Sequence, residues 1–229
     1  MPELPTSAEL APESDENGEE PEMTVPVNKI KGAWESRSEY LRAHYGLLRE
    51  DAVNGLREAV QQVSEEPSMG EDRSIHIYEK VCHPAAFVTQ VSTDPGNKVH
   101  LLGFVFSPQG LATRVAFSTK RAGKRILWEQ SKRLISGSVV VLSPKFDMFK
   151  RIRKVAVVAA RPLDGVMLNP PELDLYFSTH EELEIDPSQE WIMLESGDAY
   201  FEAHRYTLTA LQRITNERSA LSSHTLAIC

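Results

Sequence analysis

Between Ile75 and Leu194 the chain is a succession of short runs rich in β-branched and aromatic residues, with no helical period between them. The runs span residues 75–78, 86–91, 99–106, 113–117, 137–142, 154–160, 173–177 and 191–194. Asp94-Pro95-Gly96-Asn97, Ser107-Pro108-Gln109-Gly110, Ser143-Pro144 and Asp164-Gly165 separate them with turn chemistry. Strands at this spacing, uninterrupted by helices, predict an antiparallel β-barrel, closed or nearly so.

Helical periods flank this module. Ser36-Arg37-Ser38-Glu39 fits a capping box, in which hydroxyl and carboxylate satisfy free amides of a first turn. Leu41, Tyr45, Leu48, Ala52, Leu56, Ala59 and Val63 then recur at steps of three and four, an apolar stripe along about seven turns. Gly46 and Gly55 each weaken such a helix by about 1 kcal/mol and leave space for a neighbour to approach. The pattern ends at Glu65-Glu66-Pro67-Ser68-Met69-Gly70. After the barrel, Asp198 is placed to cap a second helix whose stripe is Phe201, Tyr206 (with Arg205 beside it), Leu208, Leu211 and Ile214. The expected fold class is therefore α+β: an antiparallel barrel between two long stalk-like helices.

Charge completes the division of the chain. Residues 1–23 hold eight acids and no Lys or Arg, so the net charge of −8 belongs to this segment and the remainder is neutral. With almost no large apolar side chain to bury, residues 1–28 cannot offset their ordering entropy and are expected to be a disordered acidic tail. The expected boundaries are 1–28 for the tail, 29–70 for the first stalk helix, 71–196 for the barrel and 197–229 for the second helix and chain end. Within the ordered part, residues 114–161 carry thirteen Lys/Arg against Glu129 and Asp147, whereas residues 162–202 carry eleven acids and no Lys or Arg.

Few enzyme chemistries fit. The nearest approach to a phosphate-cradling loop, Lys120-Arg121-Ala122-Gly123-Lys124-Arg125, lacks both the first glycine and the hydroxyl residue that would hold magnesium. There is no G-x-S-x-G elbow and no H-E-x-x-H pair. Cys82 and Cys229 cannot build a disulfide scaffold, and Cys82 beside His83 lacks zinc-ligand spacing. Glu181, Glu182, Glu184 and Asp186 read as a solvated loop rather than a cation site. No cofactor and no metal is expected. The apolar runs are too short to cross a bilayer and no secretory signal opens the chain, so no membrane partner is expected, and the location expected is nucleus or cytoplasm.

The basic clusters suit nucleic acid better. Lys120, Arg121, Lys124 and Arg125 follow one strand and are expected to crowd a hairpin tip, and Lys150, Arg151, Arg153 and Lys154 form a second cluster. Cations on a β-barrel with aromatics nearby can neutralise phosphates and stack bases. The plainer reading pairs these cations with the acidic stretch Glu181 to Glu190 and leaves Phe117 and Trp128 in the core.

Three segments carry a family resemblance. Tyr40-Leu41-Arg42-Ala43-His44-Tyr45-Gly46-Leu47-Leu48-Arg49-Glu50-Asp51 with Leu56-Arg57-Glu58, Trp128-Glu129-Gln130-Ser131-Lys132-Arg133-Leu134-Ile135-Ser136-Gly137-Ser138, and Tyr200-Phe201-Glu202-Ala203-His204-Arg205-Tyr206-Thr207-Leu208-Thr209-Ala210-Leu211-Gln212 resemble, in order and spacing, the pre-helicase region of the NF-X-type zinc-finger helicases, superfamily-one relatives of the Upf-type RNA helicases. The resemblance covers residues 33–215. It implies stalk helices carrying an accessory barrel over an RNA channel, and a setting in small-RNA silencing. The partners it implies are RNA and a RecA-like helicase core or an RNA-dependent RNA polymerase complex. The family's cysteine-rich fingers and Walker motif have no counterpart here, and the segment 216–229 fits the family poorly, so a truncated gene model or shortened paralogue is expected. No catalytic residue is carried over: the expected function is a non-catalytic stalk-and-barrel module contacting RNA or the helicase core, with a protein-interaction scaffold lacking RNA contact as the alternative.

Overall fold

The computed structural model describes residues 4–11, 26–29, 31–71, 74–82, 104–107, 110–177, 189–197 and 201–216. Its elements are α1 (Arg37–Glu65), β1 (Ile75–Cys82), β2 (Phe104–Ser107), β3 (Gly110–Ser118), β4 (Val139–Pro144), β5 (Lys154–Ala160), β6 (Glu172–Phe177), β7 (Trp191–Ser196) and α2 (Phe201–Asn216). One-turn helices occupy Lys120–Ala122 and Leu163–Val166.

The strands form a single antiparallel sheet in the order β1-β7-β4-β5-β6-β3-β2, and a further β1–β3 pairing closes six of them into the barrel that the turn spacing predicts. The seventh strand, β2, does not belong to the ring. It lies on the same edge of β3 as β1, running in the same direction: Cys82 is opposite Ala116 and Phe104 is opposite Thr113. β1 and β2 thus lie one after the other along a single edge of β3. The strand expected at 86–91 and the first part of that at 99–106 lie outside the described residues.

Alternation along the strands sorts side chains into two cores. Val140 and Leu142 of β4, Ala156 and Val158 of β5, and Trp191 and Met193 of β7 point into the barrel, where they meet Tyr78, Phe117, Trp128 and Leu134. Val139, Val141, Val155, Val157, Ile192 and Leu194 point out, and form the second core with Ala52, Val53, Leu56, Val60 and Val63 of α1. Because β4, β5 and β7 are covered on both faces, they read as continuous apolar runs rather than as alternating ones.

Ser36 caps α1 by accepting from the Glu39 amide at 3.1 Å, while the Glu39 carboxylate accepts from the Glu35 amide at 2.8 Å, one residue earlier than a strict capping box requires. Both glycines of α1 meet neighbours. A Cβ on Gly46 would lie 2.9 Å from Pro26, and the Gly55 carbonyl accepts from the Ser196 hydroxyl at 3.2 Å. Helix α2 packs on α1 through Phe201 and Leu208, with Gln212 donating to the Tyr45 hydroxyl at 2.8 Å. Its stripe is narrower than expected. Tyr206 is 73% exposed and Ile214 is 40% exposed. At 100° per residue both positions fall about 140° from Phe201, on the outer side. The cap expected at Asp198 lies outside the described residues.

One stretch of the acidic segment is seated on the fold. Leu4 and Leu10 are buried in the outer core, beside α1. Thr6 and Glu9 form a reciprocal capping pair, the Thr6 amide donating to Glu9 Oε2 at 2.7 Å and the Glu9 amide to Thr6 Oγ1 at 3.3 Å.

Candidate nucleic-acid interface

The first basic cluster leaves β3 in the one-turn helix Lys120–Ala122, which Gly123 terminates at φ +65°. It is not a hairpin tip. The chain continues irregularly to residue 138 because Trp128 and Leu134 are drawn back into the end of the barrel. There Trp128 meets Phe117 edge-on at 6.2 Å, and Phe117 meets Tyr78 at 5.2 Å, so these aromatics are core. Lys120, Lys124 and Arg125 are exposed. Arg121 is committed elsewhere: its guanidinium donates to the carbonyls of Pro67 and Met69, tying this turn to the end of α1.

The second cluster sits on the β4–β5 turn, which one carboxylate organises. Asp147 is buried, accepting from the amides of Arg151 and Ile152 at 3.0 and 2.8 Å and from the Ser143 hydroxyl at 3.3 Å. The Ser143 hydroxyl in turn accepts from the Phe149 amide at 2.9 Å. These bonds hold Met148 and Phe149 at φ +46° and +63°, a region non-glycine residues enter only when tied down. They leave Lys150 and Arg151 exposed at the rim. Arg153 points inward, donating to the carbonyls of Phe149, Lys150 and Ser7. Lys154 lies over the Trp191 ring at 5.5 Å.

The two turns border one groove of about 570 Å³, lined by Pro67, Ser68, Glu79, Lys120, Arg121, Lys145, Met148 and Ile192. Lys145 is the member that sequence reasoning passed over. Its signal is slight, a lone cation directly after the buried run that ends at Pro144. Glu190 accepts from Lys145 at 2.9 Å and, as the leading cause, raises its pKa, with half of the Lys145 side chain still exposed. An exposed pair of this kind contributes at most about 1 kcal/mol and leaves the lysine available to a stronger anion. Of the acidic stretch Glu181 to Glu190, only Gln189 and Glu190 fall among the described residues. Phe146, next to Lys145 in the chain, is 72% exposed.

The remaining chemistry is sparse. Among the described residues no group of three His, Cys, Asp or Glu is placed to hold a metal ion. Burial pushes the Cys82 thiol up to about 11, so at neutral pH it is held as the protonated thiol, the less nucleophilic form. No helix among the described residues is long and apolar enough to cross a membrane.

Residues 97–197 match the family model for the ZNFX1 domain. The chain is 35% identical over 215 residues to the helicase required for RNAi-mediated heterochromatin assembly 1 of Schizosaccharomyces pombe, an alignment covering 94% of this chain and 18% of that protein. It is 31% identical over 192 residues to NFX1-type zinc finger-containing protein 1 of Homo sapiens and 30% identical over 196 residues to its Mus musculus counterpart, in each case covering 83% of this chain and 9% of the relative. The chain thus spans less than a fifth of the length of these relatives.

Proposed function

Because the chain belongs, at moderate identity, to the NFX1-type helicase-associated family, we propose that it is a non-catalytic accessory module that holds single-stranded RNA against its barrel in small-RNA silencing. The observation that carries this reading is the groove shared by the two basic turns. Lys120 and Lys145 line it, one from each turn, and the exposed Lys124, Arg125, Lys150 and Arg151 of the same turns extend the basic surface that phosphates would contact. Phe146 offers a base a stacking face. Phosphate contacts carry no sequence information, so binding is sequence-tolerant and salt-dependent.

The alternative, docking on a helicase core or RNA-dependent RNA polymerase without RNA, draws support from Tyr206 and Ile214 exposed along α2. A fluorescence-anisotropy titration with labelled single-stranded RNA at several salt concentrations separates the two. Replacing the six cations with Ala is expected to weaken binding alike for every sequence and to lower the salt slope by about 0.7 for each phosphate no longer neutralised. The fold is expected to persist, since exposed charges contribute little to stability. Equal affinity of wild type and variant rejects the RNA reading in favour of docking through α2.

A further inference from the structure

The seat of residues 4–11 has the chemistry of a peptide-recognition site. Three arginines from separate places converge on it. Arg49, itself 5% exposed, grips the Glu9 carboxylate with Nε at 2.8 Å and Nη2 at 3.0 Å, and donates to the Leu4 carbonyl at 2.7 Å. Arg57 donates to the Glu9 carbonyl at 2.7 Å, and Arg153 reaches the Ser7 carbonyl from the β4–β5 turn at 3.2 Å. Leu4 and Leu10 fill the apolar floor, next to Phe149 and Phe201. The Arg49 guanidinium also lies 5.6 Å from the Phe201 ring centre. Although burial by itself raises the Glu9 carboxyl, the bonds from Arg49 and Thr6 prevail and hold it below its ordinary value.

The segment makes its own local structure. The Thr6–Glu9 capping pair and the bond from the Ala11 amide to the Ala8 carbonyl at 3.1 Å form one self-contained turn, and it contributes no strand to the sheet. Its seat is built from elements whose main-chain bonding is complete without it: the interior of α1 and a turn organised by Asp147. A carboxylate and two leucines anchor the segment to a surface made by α1 and the β4–β5 turn, the arrangement by which folded domains capture short helical turns. A buried guanidinium demands an anion in return, so the seat selects for an acid at that position.

We propose that residues 4–10 are an exchangeable intramolecular ligand, and that their seat accepts from a partner protein an acidic turn of the same pattern, Leu-x-Thr-x-x-Glu-Leu. The tethered segment competes with such a partner at an effective concentration on the order of millimolar, so the seat opens to partners whose turn binds better than its own.

The test uses the full chain with a protease site inserted between residues 12 and 25. After cleavage, a fluorescein-labelled peptide of residues 4–11 is titrated by anisotropy, beside a scrambled peptide and one carrying Glu9→Gln. The cut chain is expected to take up the labelled peptide, and the uncut chain to bind it at least tenfold more weakly. The Glu9→Gln peptide is expected to lose at least tenfold in affinity, and the scrambled peptide not to bind. Circular dichroism follows the fold in parallel. A cut chain that stays folded but takes up no peptide overturns the proposal, and so does equal uptake by cut and uncut chains. Unfolding on cleavage also overturns it, by showing that the segment is integral to the fold. A doubled mass in light scattering would assign the seat to a second copy of the chain and reject a foreign partner.

Discussion

Glu195 shows how one buried side chain sets a pH dependence. It is 4% exposed on β7, accepting from the Leu134 amide at 2.7 Å and the Tyr78 hydroxyl at 3.1 Å. Burial pushes its carboxyl above the ordinary carboxylate value, against these bonds, another from Ser138 and the nearby Arg133 charge. Tyr78 is driven well up, first by burial and then by the Glu195 charge. A carboxyl raised on folding binds more protons folded than unfolded between its two pKa values, so stability falls as pH rises through that window. Glu195→Gln cannot ionise, and urea midpoints measured from pH 4.5 to 8 are expected to fall less with rising pH than those of wild type. A variant curve parallel to that of wild type would show that the group does not titrate in this range. At this scale the sequence was legible where side chains act alone and opaque where they bond to main chain. Lys120, Lys124, Arg125, Lys150 and Arg151 are exposed cations in clusters, whereas Arg121 and Arg153 are turned aside by carbonyl oxygens that every residue carries.

Between elements, the decisive quantity is which face of a helix is covered. Leu56 lies on the side of α1 pressed against the barrel and is 1% exposed, whereas Tyr206 faces away on α2. Leu56→Ala is expected to cost about 2–5 kcal/mol through reduced burial and the cavity left behind. Tyr206→Ala is expected to stay within about 0.5 kcal/mol, and chemical denaturation of both variants checks the contrast. The strands were legible because burial on two faces enriches whole runs, as in Val139-Val140-Val141-Leu142. Helix α1 was legible from its long, regular stripe. The stripe of α2 was misjudged because four turns hold too few apolar positions to fix the angle of its buried face. The seated turn at residues 4–11 was invisible to composition, since Leu4 and Leu10 are isolated among acids and prolines. Its one local signature is Thr6-x-x-Glu9, a capping pair that composition averages away.

At the scale of the molecule, β1 and β2 share one edge of β3. Cys82 and Phe104 face positions three residues apart on β3, a span of about 10 Å at 3.3 Å per residue. Four Gly/Ser residues in place of residues 83–103 can bridge that gap. Because the six strands of the ring are all formed by other residues, the shortened chain is expected to melt cooperatively. Loss of the cooperative transition in a thermal scan would show that residues 83–103 contribute to the barrel itself. The sheet order carries a second implication, about when the fold can exist at all. β7 lies between β1 and β4 and supplies two of the six seams of the ring, yet it is the last strand among the described residues. During synthesis the edge of β1 opposite β3 therefore waits through more than a hundred residues for its partner, since Ile75 pairs with Ser196. Until then β1 and β4 stand with open edges, that of β4 apolar on both faces and prone to pair with the wrong chain. Inserted between two earlier strands, β7 locks the ring from within, and the growing chain passes its most vulnerable interval just before β7 arrives.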